Sequence, residues 1–396
     1  MLVLYNKLTY QEVKRMEYTF YKGQKFRIYP TDEQIQFIRQ NEGNARFVWN
    51  ELREYLMNSY EKNKDFKFPS KNELTKMVTD LKKEHDFLKL SESSSLQFVA
   101  QTLHDTYVKF FEKKKGYPKP KQKGYSGSFT MKRNGNNIRK ESNHFFKIPK
   151  VKGLVKSQRI KLDGKIKKAT ISFTPSGKYY LTVLVECESQ TWTKTGDKIG
   201  IDIGLLDFVV LSNGIKEKMP RFHNQHKQKR VMWERKCARR RALAKKRLGD
   251  DWREAKNYQK ARKMVAKYRN KEANQRKDFL QKLSTYLVKS YDVIIMEGIR
   301  SSNLMKNHKL AESIMRSAWR MFRDFLAYKC ERYGKELILV NPKNTTRVCS
   351  SCGVNGGKKE LSIREWQCQS CEELHDRDIN AAKNILNKGL ALNSQC

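Results

Sequence analysis

Two hydrophobic periods alternate along this chain, and the places where one gives way to the other divide it into segments. Tyr18 to Ile28 reads as a strand with basic residues on one face. Thr31-Asp32-Glu33-Gln34 then forms a capping box, threonine at the N-cap and glutamine three positions on. Behind it Ala45, Val48, Trp49, Leu52 and Leu56 keep helical spacing. Leu74, Val78 and Leu81 do so behind a second box at Ser70 and Glu73, and Leu96, Val99, Leu103, Tyr107 and Phe110 make a third stripe. A helical bundle over residues 32–114 is predicted. Lys113-Lys114-Lys115-Gly116-Tyr117-Pro118-Lys119-Pro120-Lys121 breaks it with proline and glycine.

From Ser126 to Glu188 the period shortens to that of strands. The clearest are Phe145–Ile148, Ala169–Phe173 and Tyr179–Val185, the last two joined by a turn at Pro175-Ser176-Gly177. These predict a small β-barrel whose first strand is the Tyr18–Ile28 segment, with the helical bundle inserted into it. After residue 195 apolar strands return at Ile199–Ile203 and Phe208–Leu211, followed by Asn213-Gly214, a type I′ hairpin signal. Residues 222–290 read as helical and very basic, with Leu280, Leu283 and Leu287 facing a core. Val293–Met296 is a further strand. Ile314, Ala318, Met321 and Phe325 mark a helix that Gly334 ends, Leu337–Val340 is a strand, and Asn380 to Leu386 is the last helix. Strand hairpin, helices, strand, helix, strand, helix is the order of an α/β layered fold.

Charge changes this picture from a generic globular chain to one with a polyanionic partner. The 396 residues carry 83 Lys+Arg against 42 Asp+Glu, a formal net charge of +41. The basic residues are interleaved with apolar-periodic segments, so the field belongs to folded domains and recruits nucleic acid by counterion release. No stretch is apolar enough to span a bilayer, and Met1–Tyr5 is too short for a secretory core. A cytoplasmic protein, nucleoid-associated when engaged on DNA and without a membrane partner, is expected.

Three acids stand where strands or helices should be apolar. Asp202 sits inside Gly200-Ile201-Asp202-Ile203-Gly204, and Glu297 ends Val293-Ile294-Ile295-Met296-Glu297. Asp378 lies in His375-Asp376-Arg377-Asp378-Ile379-Asn380, just ahead of the last helix. Each alone has a plain role: a loop hydrogen bond, an exposed strand end, a helix N-cap. Together they predict a carboxylate cluster that binds Mg²⁺ or Mn²⁺, two ions clamping the oxygens of an in-line phosphoryl displacement. Asp376 competes with Asp378 for the third place. Asp378 is preferred as the residue at the N-cap of a packed helix, with Asp376 upstream in an exposed linker.

Of eight cysteines, Cys187, Cys237, Cys330 and Cys396 are scattered. The other four form Cys349-Ser350-Ser351-Cys352 and Cys368-Gln369-Ser370-Cys371, two C-x₂-C pairs fifteen residues apart. That spacing predicts a closed tetrahedral structural Zn²⁺ site. Arg364 and Trp366 on this ribbon are candidates to meet a phosphate and a base, or are an ordinary ribbon face.

Taken together these words resemble the TnpB family of transposon-encoded proteins. Asn341-Pro342-Lys343-Asn344-Thr345-Thr346-Arg347-Val348 before Cys349 is similar to the segment leading into the family's ribbon, and Asp376 to Ile385 to its last RuvC motif. Gly200–Gly204 and Ile294–Glu297 match the first two motifs, and Lys25–Thr31 and Gly43–Asn50 match the opening strand and helix. Glu297-Gly298-Ile299 and Gln281 depart from the usual words. The resemblance implies a multidomain α+β protein with an RNase H-like (RuvC) α/β core, a zinc ribbon insert and an N-terminal wedge barrel carrying the helical bundle. The implied order is wedge barrel 1–31, helical recognition domain 32–125, wedge barrel 126–194, RuvC 195–345, zinc-bearing target nucleic-acid-binding insert 346–372, and RuvC 373–396. It further implies an RNA-guided, Mg²⁺-dependent DNA endonuclease, with Asp202, Glu297 and Asp378 catalytic. Its partners would be a guide RNA, held one per chain, and double-stranded target DNA beside a short motif read by the protein. Asn50 and Gln97 are candidate readers of that motif through adenine edges, unless they only cap or solvate their helices. A compact type V CRISPR effector, a nuclease-inactive RNA-guided repressor and an RNA-free resolvase are the competing readings.

Overall fold

The computed structural model describes residues 19–298, 318–360 and 362–393. Residues 1–18, including Tyr18, and Ile314 lie outside them. The described residues fall into two compact units, 19–188 with Cys237–Ala266, and Ser189–Lys236 with the described part of 267–393.

The first unit opens with β1 (Thr19–Ile28), followed by α1 (Asp32–Lys62), α2 (Lys71–Glu84) and α3 (Ser93–Phe111). Both capping boxes form: the Gln34 and Glu73 amides donate to Thr31 and Ser70, and their side chains accept in return. The start of α3 carried no such signal because its cap is Glu92, whose carboxylate accepts from the Ser95 amide at 2.7 Å. Then come β2 (Gly127–Lys132), β3 (Arg139–Lys140), β4 (Phe145–Lys147), β5 (Val155–Lys156), β6 (Lys165–Phe173) and β7 (Tyr179–Glu188). Strand β1 pairs antiparallel with β7 across more than 150 residues of sequence, in the order β1-β7-β6-β2. Alternation puts Leu181, Val183 and Val185 of β7 on the buried face, where they join one core with Ile38, Val48 and Leu52 of α1 and Leu103 of α3. β3, β4 and β5 form a small sheet, held to the end of β1 by Tyr29 N–H to Lys156 O at 2.8 Å.

The second unit contains β8 (Lys198–Ile203), β9 (Val209–Leu211), β10 (Lys216–Glu217), a short α4 (Phe222–Gln225), α5 (Lys227–Leu248) and α6 (Lys256–Ser290). After these come β11 (Val293–Glu297), α7 (Trp319–Tyr333), β12 (Glu336–Val340), β13 (Glu365–Gln367), β14 (Leu374–Asp376) and α8 (Arg377–Asn393). The far part of the α5–α6 hairpin, Cys237–Ala266, is grouped by its contacts with the first unit, not with the strands that flank it in sequence. Five strands make one sheet in the order β10-β9-β8-β11-β12, with β8, β11 and β12 parallel and β9 and β10 antiparallel. Parallel strands need cover on both faces. Leu280 and Leu287 of α6 and Phe322 and Leu326 of α7 cover one face, while Ile385 of α8 packs with Ile295 and Val340 on the other. Helix α8 lies flush because two glycines let it. A Cβ on Gly200 would stand 2.2 Å from the Ala382 carbonyl oxygen, and one on Gly389 2.4 Å from Ile295.

Three local expectations are corrected. The last helix runs from Arg377 to Asn393, longer at both ends than Asn380–Leu386. Helix α7 buries Trp319, Phe322, Leu326 and Cys330; Ala318 and Phe325 pack against that core as expected, but Met321 is exposed. The Asn213-Gly214 connection is not type I′, because Asn213 is not left-handed. Only Gly214 is, at φ 95°, closing a three-residue loop in which Leu211 N–H donates to Ile215 O at 2.8 Å. Among the described residues no helix is long and apolar enough to cross a membrane.

Candidate carboxylate and cysteine centres

Parallel pairing of β8 with β11 sets Ile201 opposite Met296, so Asp202 and Glu297 stand at the same level at the carboxyl ends of neighbouring strands. Asp378 comes to them from the first turn of α8. Burial, then the charges of Glu297 and Asp378, push the Asp202 carboxyl up to about 7, against the Ile203 amide and Arg377, which lower it. Glu297 is buried, which raises its carboxyl above the ordinary range. The Thr345 hydroxyl, donating to Glu297 Oε1 at 2.6 Å, and the charge of Lys388 oppose that rise. Among the described residues no lysine or arginine forms an ion pair with Asp202 or Glu297. Two neighbouring carboxylates without a cationic partner, with Asp378 bearing on Asp202, fit a divalent cation, which would favour the ionised state of Asp202 and Glu297.

The two aspartates ahead of α8 have roles other than those expected. Asp376, not Asp378, is the N-cap: its Oδ1 accepts from the Asp378 and Ile379 amides at 3.1 and 3.0 Å. It is not in a free linker either, since its Oδ2 pairs with Lys216 at 2.6 Å, and Lys216 holds its carboxyl below the usual range despite burial. With the cap supplied by Asp376, the Asp378 carboxylate is left free to bear on Asp202. It also meets Arg364 Nη1 at 3.3 Å.

The ribbon cysteines gather as expected. The sulfur atoms of Cys349, Cys352, Cys368 and Cys371 all lie within 4.8 Å of one another, with Cys349–Cys371 and Cys352–Cys368 each at 3.6 Å. Four thiolates about 2.3 Å from a tetrahedral Zn²⁺ would be about 3.8 Å apart, so the cluster fits the ion. The backbone amides of Cys371 and Ser370 point at Cys368 and hold its thiol down to about 6, toward the metal-binding thiolate. His375 Nε2 is 3.0 Å from Cys349 Sγ.

The remaining sequence candidates are placed as follows. Arg364 is partly exposed and paired with Asp378. Trp366, offered as a base-stacking surface, is instead buried in the ribbon against Cys349, Cys368 and His375, with Lys359 over its ring at 3.5 Å. The Asn50 amide braces the connector, donating to Lys121 O at 3.0 Å and accepting from Lys121 N–H at 2.8 Å. Gln97 is exposed on α3. Gln281, at a position departing from the family's words, accepts the Tyr328 hydroxyl at 2.9 Å. Sequence reasoning passed over Thr345, Asn380 and Asn384. The asparagines sit one turn apart on the buried side of an otherwise alanine- and isoleucine-lined helix, a pattern that asks what buried amides bind.

Three sequence profiles match the chain: "Helix-turn-helix domain" at residues 16–65, "Probable transposase" of the OrfB/IS605 type at 182–308, and "Cas12f1-like, TNB domain" at 319–385. The first of these covers β1 and the single long helix α1. A Streptomyces pristinaespiralis protein named "Putative RNA-guided DNA endonuclease" is 32% identical over 371 residues, spanning 93% of this chain and 89% of its own. The chain belongs to the TnpB family. A second relative in this TnpB group, InsQ of Escherichia coli (strain K12), carries the same description and is 26% identical, covering 93% of this chain and 92% of its own. Among solved structures, the protein of a Cas12f1–sgRNA–target DNA complex shares the fold, with a TM-score of 0.60 at 15% identity over 93% of this chain and 99% of that one. The TnpB chain is therefore a mixed α/β multidomain protein of the Cas12f1-like fold.

Proposed function

We propose that this chain is an RNA-guided DNA endonuclease in which Asp202, Glu297 and Asp378 hold the catalytic metal ions. The observation that carries the reading is that Asp202 and Glu297 stand level at the ends of paired parallel strands β8 and β11 while Asp378 begins the helix packed on that sheet; the charges of Glu297 and Asp378 both bear on Asp202. The mixed sheet order β10-β9-β8-β11-β12 supports an RNase H-like (RuvC) core, with the acids at the strand ends where such sheets place their sites. Two Mg²⁺ or Mn²⁺ ions bound there supply Lewis-acid stabilisation to the attacking and leaving oxygens of an in-line phosphodiester displacement. The chain's own work is to orient the carboxylates through β8, β11 and the Asp376-capped start of α8. Structural Zn²⁺ is held by Cys349, Cys352, Cys368 and Cys371.

The +41 charge provides the field for guide RNA and target DNA. Names of relatives covering nearly the whole chain support RNA guidance and DNA as the substrate. In this reading guide pairing reads sequence, the wedge segments (1–31, 126–194) and helices (32–125) read a short flanking motif, and one chain holds one guide. Arg364, beside Asp378, would meet a phosphate in this reading. Gln97 is a free candidate for motif reading, whereas the Asn50 amide has both its partners within the chain.

The test is to sequence the RNA that copurifies with the full chain, reprogramme its guide segment, and challenge the complex with plasmid carrying a randomised flank. Metal-dependent cutting beside one enriched flank is expected, with Asp202→Ala silent yet still loaded with RNA. Absence of RNA with a defined end, or cutting by Asp202→Ala, would overturn the reading. RNA from a repeat array, in place of a transposon end, would assign the same chemistry to a compact type V effector.

A further inference from the structure

The segment leading into the ribbon contributes more than its cysteines. Thr345 is 2% exposed, and its hydroxyl lies 2.6 Å from Glu297 Oε1 and 3.1 Å from the Pro342 carbonyl. A hydroxyl has one proton, and the shorter bond to a charged acceptor takes it. The carbonyl of the same Thr345 accepts from Asn384 Nδ2 at 2.9 Å, and that amide also reaches Val348 O at 2.7 Å. One turn earlier on α8, Asn380 donates to Val348 O at 2.8 Å and accepts from Ser350 N–H at 2.8 Å. Both asparagines are buried. They grip a loop that Lys388, on the same helix, also holds at the Lys343 carbonyl. The helix doing the gripping is the one that carries Asp378.

Two carboxylates of the cluster are therefore referenced to one rigid piece. Asp378 belongs to α8 covalently, and Glu297 is tied to it by a hydroxyl whose backbone α8 holds. A metal site needs its ligands fixed relative to one another within a few tenths of an ångström, and outer hydrogen bonds provide that. We propose that Thr345 is a positioning residue for Glu297 and that Asn384 acts through it, locking the Glu297 carboxylate to the helix bearing Asp378. The inference rests on the reading of the three carboxylates as a divalent-cation site.

The experiment titrates Mn²⁺ into the full-length protein without nucleic acid, reading bound ion by electron paramagnetic resonance, with zinc content measured alongside. Thr345→Val keeps the shape and removes the donor. It should weaken Mn²⁺ binding by roughly tenfold, the usual scale for a lost outer-shell partner, while zinc stays bound. Thr345→Ser keeps the donor and should restore most of the affinity. Asn384→Ala should weaken binding less, and the Thr345→Val/Asn384→Ala pair no more than Thr345→Val alone, since one residue acts through the other. Wild-type affinity in Thr345→Val, or additive losses in the pair, overturns the proposal. Should Thr345→Val not fold, Asn384→Ala decides, and unchanged Mn²⁺ binding in it counts against the lock. Asp202→Ala separates the two levels. If it binds Mn²⁺ like wild type, the carboxylate reading itself falls; if it loses the ion while Thr345→Val keeps it, only the positioning role falls.

Discussion

The start of α8 offers a graded perturbation in which three substitutions within three residues should differ by orders of magnitude. Asp376 caps the helix and pairs with Lys216, while Asp378 faces the cluster. Asp376→Asn keeps a good capping side chain and loses only the ion pair. Both partners of that pair are about 30% exposed, at 31% and 27%, so its loss is worth about 0.5 kcal/mol. Asp376→Ala loses the cap as well, about 1 kcal/mol more. If the whole of that falls on the order of the first turn, guided DNA cleavage drops by about twofold for Asn and about tenfold for Ala, 1.4 kcal/mol being a factor of ten. Asp378→Asn keeps the fold and removes a proposed metal ligand, so the loss should be about a thousandfold or more, several kcal/mol of charge stabilisation. The assay is plasmid cleavage with a programmed guide over a Mg²⁺ titration. Excess Mg²⁺ should recover much of the Asp376→Ala loss by mass action and none of the Asp378→Asn loss. An inactive Asp376→Asn beside an active Asp378→Asn would show that the cap and the ligand have been exchanged.

Further outcomes follow from other parts of the second unit. Cys349→Ser or Cys368→Ser should release zinc, seen by metal analysis, and lower the melting temperature; wild-type protein with less than one zinc per chain would argue against the site. In metal-free protein the raised Asp202 carboxyl favours the folded state fully below about pH 4 and loses that contribution as pH rises through about 7. Asp202→Asn should therefore gain stability over wild type between pH 5 and 8, by roughly 2–4 kcal/mol at the alkaline end, read as a widening gap in melting temperature that Mg²⁺ should narrow. A flat difference across that range would remove the charge-crowding argument. Gly200→Ala must push α8 off β8, because its Cβ would sit 2.2 Å from the Ala382 oxygen. Loss of about 2–3 kcal/mol in denaturant unfolding is expected, and unchanged stability would mean that the helix has room to shift.

Much of this protein is written in local patterns. The capping boxes at Thr31 and Ser70, the stripe from Ala45 to Leu56 and the alternation of Tyr179 to Val185 each depend on neighbours within one or two turns, so the sequence alone determined those elements. The cysteine pairs were equally legible, because C-x₂-C is itself the local geometry of a metal knuckle. The carboxylates were legible as anomalies, acids inside apolar strands. Their combination predicted a cluster but not how it forms, since β8, β11 and α8 come together only through strand order and the flush packing that Gly200 and Gly389 allow. Which aspartate caps and which faces the cluster was decided by where α8 begins, one residue after Asp376, a boundary that periodicity does not fix. Trp366 looked like a stacking surface until the ribbon folded around it. Thr345 and Asn384 are unremarked polar residues in the sequence, and only in three dimensions does a hydroxyl 48 residues from Glu297 become its nearest donor. Tertiary structure decides such matters because burial and long-range hydrogen bonds depend on which distant segments exclude water from one another.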